Sequence, residues 1–252
     1  MKEMEIGLMY QALMEDNVDI ISGFSTDGPI IAHQLRTLKD DNGYFPPYHC
    51  APLIRQATVE QYPELRAVLN RLENRISDTA MARLNYLVDQ QQIPMEQVAM
   101  EWLASQGFAT GTTRETANPQ VRIGSKNFTE SLLLGTLFGI LIENETSLDV
   151  DLKLGFGGTQ LLYDAMLQGE IDLYPEYTGT GLLVLLKADG EVRDSLGTGL
   201  DATYQYVQYK MDGLGLSWLA PLGFNNTTAF LMKEERAEQL GIETISDLLE
   251  DQ

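Results

Sequence analysis

The stretch DLYPEYTGTG, Asp172–Gly181, closes a short apolar run with two tyrosines, a proline and a Thr-Gly-Thr turn. A helix-like segment, YDAMLQGE (163–170), precedes it, so the unit reads helix, tight turn, strand, aromatic, small polar turn. A partial echo stands far upstream in YQALMEDNVDIISGFSTDG, residues 10–28. In register, Tyr163 falls opposite Tyr10, Ala165 opposite Ala12, Ile171 opposite Val18 and Asp172 opposite Asp19. The same register sets Tyr177 against Phe24, Thr178 against Ser25 and Gly181 against Gly28. A repeat this widely separated is no solenoid. It reads as two related α/β lobes, each presenting the same strand end. Ligands of open α/β sheets bind beyond the carboxyl ends of the strands, so Tyr177 and Phe24 would form opposite walls of one cleft. Two ring faces suit a cation without N–H donors, each contributing about 0.5–2 kcal/mol. The same rings also read as core aromatics capping strand ends, and the sequence leaves both readings open.

Outward from this unit the pattern alternates. VRIG (121–124) reads as a strand, Thr129–Glu143 as a helix, LDVDLKLGF (148–156) as a strand and Thr159–Gln168 as a helix. IDLYP (171–175) is the next strand, Asp201–Gly213 a helix, and LSWLAPLGF (216–224) and TAFLMK (228–233) are strands. Alternation of this kind predicts an α/β chain with crossover helices and a largely parallel sheet. Upstream, residues 3–15 have helical spacing, Val18–Ile21 is β-branched, and Ile30–Leu38 reads as a helix. Thr58–Gln106 is almost continuously helical in pattern, broken near Asn74–Asp78 and at Pro94. ATGTTRETANPQ, 109–120, lacks apolar periodicity and reads as a linker.

Composition excludes several classes of function. The 252 residues, 44% of them hydrophobic, support a substantial core. A formal charge of −20 argues against nucleic acid or an anionic membrane surface as partner. The single cysteine, Cys50, can form no internal disulfide and reads as a small buried hydrophobe. MKEMEIGL is acidic where a secretory leader needs a basic start, and the longest apolar run, Leu132–Ile142, is too short to span a bilayer. The expectation is a soluble body whose membrane attachment, if it has one, lies outside it. No GK[ST] phosphate loop occurs, and His33 and His49 have no metal-ligand spacing, so neither cofactor nor metal is expected.

Several motifs occur in a fixed order: IGSKNFTES (123–131), GFGGTQLL (155–162), GEIDLYPEYTGT (169–180) and GFNNTTAF (223–230). With STDG (25–28) and YFPPYHCAPLIR (44–55), they resemble the substrate-binding proteins of ABC importers for quaternary ammonium osmoprotectants. The resemblance covers nearly the whole chain except the linker and the extreme C-terminus. It implies an extracytoplasmic, non-catalytic, type II periplasmic-binding-protein-like clamshell that takes glycine betaine, carnitine, choline or a related betaine. Permease and ATPase subunits would be its partners, and its lobes would close by hinge motion. Lobe one would comprise the core 121–222 plus the return strand and helices of 51–108. Lobe two would comprise 223–252, beginning with the crossover, plus 1–50. Hinge strands are expected near Gly223–Thr228 and Pro52–Arg55. In the family the IGSKNFTE part comes first and the STDG part last; here the order is reversed, and a stretch between them has no counterpart. A circular permutation and a window across two tandem modules both fit, the second requiring a domain-swapped dimer.

The resemblance also assigns residue roles. Lys126, in the turn between a strand and the helix from Thr129, would meet a ligand carboxylate, aided by free N–H groups of the helix start. Asn127 and Thr129 flank it, and Thr129 reads equally as a helix cap. Tyr177 matches a cage tyrosine, Thr180 a carboxylate-contacting threonine, and Phe24 a second cage position that keeps its π-face without the hydroxyl. Thr228 stands where the family commonly carries tyrosine, so one cage wall is lost and a larger ligand is expected. Asn226 reads both as a ligand contact and as a staple of the crossover strand. Thr159 and Gln160, after GFGG, would tune selectivity toward carboxylate-bearing ligands. Tyr44, Phe45 and Tyr48 are expected to pack the loop before the return strand. The alternatives of a different kind are a hydrolase of small zwitterions using Asp172 and Glu176 as acid and base, and a sensory module with the same cleft.

Overall fold

The computed structural model describes residues 6–111, 118–197 and 199–249; the middle of the expected linker, 112–117, lies outside the described residues. Elements run in the order α1 (Ile6–Met14), β1 (Ile21–Phe24), α2 (Gly28–Ala32), β2 (Leu35–Thr37), β3 (Cys50–Arg55), α3 (Gln56–Gln61), α4 (Glu64–Asn70), α5 (Asp78–Asp89) and α6 (Met95–Ser105). Then follow β4 (Val121–Lys126), α7 (Thr129–Glu145), β5 (Val150–Gly157), α8 (Thr159–Gln168), β6 (Leu173–Tyr177) and the short turn α9 (Thr178–Thr180). A π-helical turn, Gly181–Leu185, leads to α10 (Gly190–Leu196), α11 (Leu200–Asp212), β7 (Leu216–Trp218), β8 (Thr228–Lys233), α12 (Glu234–Leu240) and a 3₁₀ turn at Ser246–Leu249.

The strands form two sheets, a three-stranded one ordered β1-β8-β2 and a five-stranded one ordered β5-β4-β6-β3-β7. Among the described strands, parallel pairing is confined to β4–β5 and β4–β6, with one isolated parallel bridge, Lys39–Thr244, outside them. The small sheet is antiparallel, and so are the pairings of β3 with β6 and β7. The sheets are therefore mixed, not largely parallel as the alternation predicts. In the large sheet the cause is β3, which returns from the small sheet and inserts antiparallel between β6 and β7. Pro52 lies opposite Pro175 in the β3–β6 pair. Proline gives no N–H to a ladder, and β4 meets β6 through the single pair Ile123–Leu173.

Helix α7 is buried on every face, from Ser131 through Glu143 apart from Leu132. A helix without a polar face belongs inside a core. Its close approach to β5 depends on Gly139, where a Cβ would stand 2.8 Å from a Leu152 methyl. Helices α4, α5 and α6 pack on its other faces. The large sheet has a core on each side, one built around α7 and the other around Leu53, Met166, Tyr174 and Trp218. The small sheet carries its own apolar clusters, around Leu13 and Leu231 and around Met232 and Ala237.

Two details depart from the sequence pattern. The expected helix Ile30–Leu38 stops at Ala32, and Gln34, at φ 52°, turns the chain into β2. Leu35 and Leu38 are buried beneath the small sheet there, so strand pairing with β8 outweighs helical spacing. Pro52–Arg55 is not a crossing but lies inside β3. The chain crosses between sheets at residues 46–49 and 224–227, which bond to one another through the His49–Asn225 bridge and the Asn226 N–H to Tyr48 carbonyl contact.

Candidate functional site

A cleft of about 620 Å³ opens between the two sheets. The β1–α2 connection supplies Phe24, Thr26 and Asp27 on one side. The other side is built from the ends of β4 and β6, the start of α7, and α5. Tyr48 and Asn226 enter from the two crossing segments. Of the residues singled out in the sequence, the cleft gathers Phe24, Lys126, Thr129, Tyr177, Thr180 and Asn226. Asn127, Thr159, Gln160 and Thr228 do not line it. Asn127 and Gln160 are exposed, and Gln160 bonds Asp164 one helical turn on, at 2.9 Å. Thr228 is in ladder register with Phe24 at the start of β8.

The echo places its two aromatics as strand ends, Phe24 closing β1 and Tyr177 closing β6. Each is followed by a small-residue turn into a short helix, and Gly179 shows why the second turn is Thr-Gly-Thr. A Cβ there would meet the Tyr48 ring at 2.6 Å, so the ring lies flat against α9 only because glycine has none. Tyr48 is therefore a wall of the cleft, whereas Tyr44 is exposed and Phe45 packs edge-on to Phe230. Phe128, also unassigned from the sequence, lines the cleft at 41% exposure with its ring centroid 6.2 Å from that of Tyr177.

The largest feature hidden from the sequence is Glu130. Its Oε1 accepts from the Tyr177 hydroxyl at 2.7 Å and from Asn226 Nδ2 at 2.9 Å. Its Oε2 accepts from Thr26 Oγ1 at 2.7 Å and from Asn85 Nδ2 at 2.9 Å. Four chain segments thus converge on one buried carboxylate in the first turn of α7, where the helix end also favours negative charge. Burial pushes its pKa up, and the four donors pull against that shift. Nothing in SKNFTE distinguishes this glutamate from an ordinary first-turn helix residue.

The other charged groups are also partnered. Lys126 Nζ pairs with Glu176 Oε1 at 2.5 Å, with the two side chains 10% and 0% exposed, and it stands 5.2 Å from the Tyr177 ring centroid. Asp27 accepts from the Tyr10 hydroxyl and the Phe24 N–H, and burial raises its pKa. Asp89 accepts from Thr129 Oγ1 at 2.6 Å. Strand β6 does continue through Pro175, yet Asp172 is held by Arg122, Arg55 and Thr58. That ring of donors gives it an anchoring role, and the acid–base pairing with Glu176 has no geometric support. No group of acidic, histidine or cysteine side chains suited to a metal ion occurs among the described residues.

Two sheets with their helices thus face one another across an aromatic-lined cleft. The chain belongs to the family described as the substrate binding domain of ABC-type glycine betaine transport systems, which matches residues 1–105 and 119–252. It is 38% identical over 108 residues to the carnitine transport binding protein OpuCC of Listeria monocytogenes, covering 43% of this chain and 35% of that one. To the glycine-betaine-binding protein of Pseudomonas aeruginosa it is 38% identical over 128 residues, 51% of this chain and 39% of that one. A further relative is the ergothioneine transport permease/ergothioneine binding protein EgtU of Helicobacter pylori, 34% identical over 106 residues, 42% and 19% of the two chains. The matched stretches span well under half the length of each relative.

Proposed function

We propose that this chain is the non-catalytic ligand-binding domain of an ABC importer, acting outside the cytoplasm and taking a small quaternary ammonium compound into the cleft. The observation that carries this reading is the company of aromatic rings with carboxylates. Phe24, Tyr48, Phe128 and Tyr177 line one cavity with Asp27, Asp89 and Glu130. Methylated nitrogen has no N–H to donate, so ring faces and through-space charge are the forces left to hold it. Family membership supports the transport role, and the relatives named for carnitine and glycine betaine support the ligand class. Permease and ATPase subunits are the partners this role needs. Among the described residues no helix is long and apolar enough to cross a membrane.

The test is a thermal-shift panel of choline, glycine betaine, carnitine and ergothioneine, since a ligand that binds only the native state raises its melting temperature. A shift with at least one quaternary ammonium compound, without turnover of it, is expected. A flat panel removes the reading.

A further inference from the structure

Most side-chain donor groups that line the cleft bond the protein's own acids. Tyr10 donates to Asp27, Thr129 to Asp89 and Lys126 to Glu176. Thr26, Asn85, Tyr177 and Asn226 all donate to Glu130. Among the described lining residues, the hydroxyls of Tyr48 and Thr180 have no protein acceptor, and Lys126 Nζ and Asn226 Nδ2 each give one N–H to a protein acid. The acceptor side shows the opposite balance. Oδ1 of Asn85 and Oδ1 of Asn226 are buried with no hydrogen-bond partner, and Asn85 is 5% exposed. Buried acceptors of this kind are unfavourable until a donor reaches them.

Charge points the same way. Asp27, Asp89 and Glu130 line the cleft against one basic residue, Lys126. Glu176 already offsets that ammonium at ion-pair distance. A ligand carboxylate arriving here meets three acids and an ammonium already paired, whereas a ligand cation meets acids and ring faces.

We infer that the cleft selects a net cation over a zwitterion, and that its ligand is an alkylated ammonium alcohol of the choline type, not a betaine. The Lys126–Glu176 pair and Glu130 determine this selectivity. The inference rests on the quaternary ammonium reading and narrows it. Glu130 is a positioning residue: its oxygens are filled by protein donors, so it acts through its charge and by fixing Tyr177 and Asn226. Lys126, which by family resemblance meets a carboxylate, is occupied by Glu176 instead. A ligand hydroxyl is the kind of donor that the buried amide oxygens of Asn85 and Asn226 lack.

Calorimetry on the full chain with choline, tetramethylammonium and glycine betaine tests this. Choline should bind about tenfold or more tighter than glycine betaine, with tetramethylammonium between them. Glycine betaine binding as tightly as choline overturns the inference and leaves the quaternary ammonium reading standing. Binding by none of the three removes both. Glu176→Gln frees the Lys126 ammonium and should move the choline-to-betaine preference about fivefold or more toward betaine. That variant unpairs a buried charge, so Asp89→Asn, at an exposed position, serves beside it. It should weaken choline about two- to threefold, leave glycine betaine unchanged or slightly tighter, and not move the melting temperature. A preference that neither substitution alters overturns the assignment of the determinants.

Discussion

Phe24 and Tyr177 end matching strands of the internal echo, yet Phe24 is 45% exposed and Tyr177 is 4% exposed. The difference lies in one hydroxyl and what it reaches. Tyr177 donates to Glu130 and is held against the large sheet, while Phe24, having no such group, stands open on the small one. The matching aspartates diverge in the same way. Asp172 is buried among two arginines and Thr58, whereas Asp19 is exposed and has only Arg236 at 4.0 Å. One sheet therefore fixes its half of the site, and the other offers a half that is less tied down.

Four measurements would break or sharpen that contrast. Tyr177→Ala should have the largest effect, costing ~3–5 kcal/mol of stability as a buried aromatic and weakening ligand binding about tenfold or more; denaturant unfolding and calorimetry read the two losses. Unchanged affinity would mean that the ring contributes only to the core. Tyr177→Phe keeps the ring but removes one donor from Glu130, for a loss of about 1–3 kcal/mol by the same unfolding assay. Phe24→Ala should show the reverse pattern, with binding weakened about three- to thirtyfold and stability changed by less than ~1 kcal/mol. Equal stability losses at Phe24 and Tyr177 would erase the distinction between the two halves.

The smallest effect concerns pH. Burial raises the pKa of Glu130 and of Asp27 above the ordinary carboxylate value. Both groups hold a proton more tightly folded than unfolded. Their contribution to stability is therefore greatest below the unfolded pKa and is lost as pH rises through the raised folded values. Cation binding runs the other way, because protonation removes the negative charge that attracts it. Acidification through those raised pKa values should weaken choline while this carboxylate contribution to stability grows. Glu130→Gln should flatten the affinity trend, and calorimetry across pH reads it. Affinity that rises on acidification would contradict the charge assignment.

The sequence made part of this legible. Apolar periodicity located most helices, because segments such as Thr159–Gln168 carry a one-sided pattern that neighbours do not overrule. The echo located both strand ends at the cleft because it preserves the whole run from helix through strand to turn. Strand direction was not legible, since it is set by where β3 inserts, and insertion leaves no local pattern. Helix spacing misled at Ile30–Leu38, where pairing with β8 decides the conformation. Glu130, Phe128 and Tyr48 were hidden for a related reason. Their roles depend on partners dozens of residues away, and a lone glutamate, phenylalanine or tyrosine looks the same in a helix start or a loop. Asn127 and Gln160 show how widely the motif positions spread: both stand exposed, outside the lining of the cleft.

The two crossing segments run side by side and are stitched together at His49 and Asn225. They form a two-ply strap between the two sheets. Asn226 sits on the strap itself, and Thr26 stands next to Ser25, which is bonded to the same strap at Asn225 and Thr227. A parting of the two sheets would therefore have to loosen both residues' bonds to Glu130 together, so one buried carboxylate would latch the whole swing.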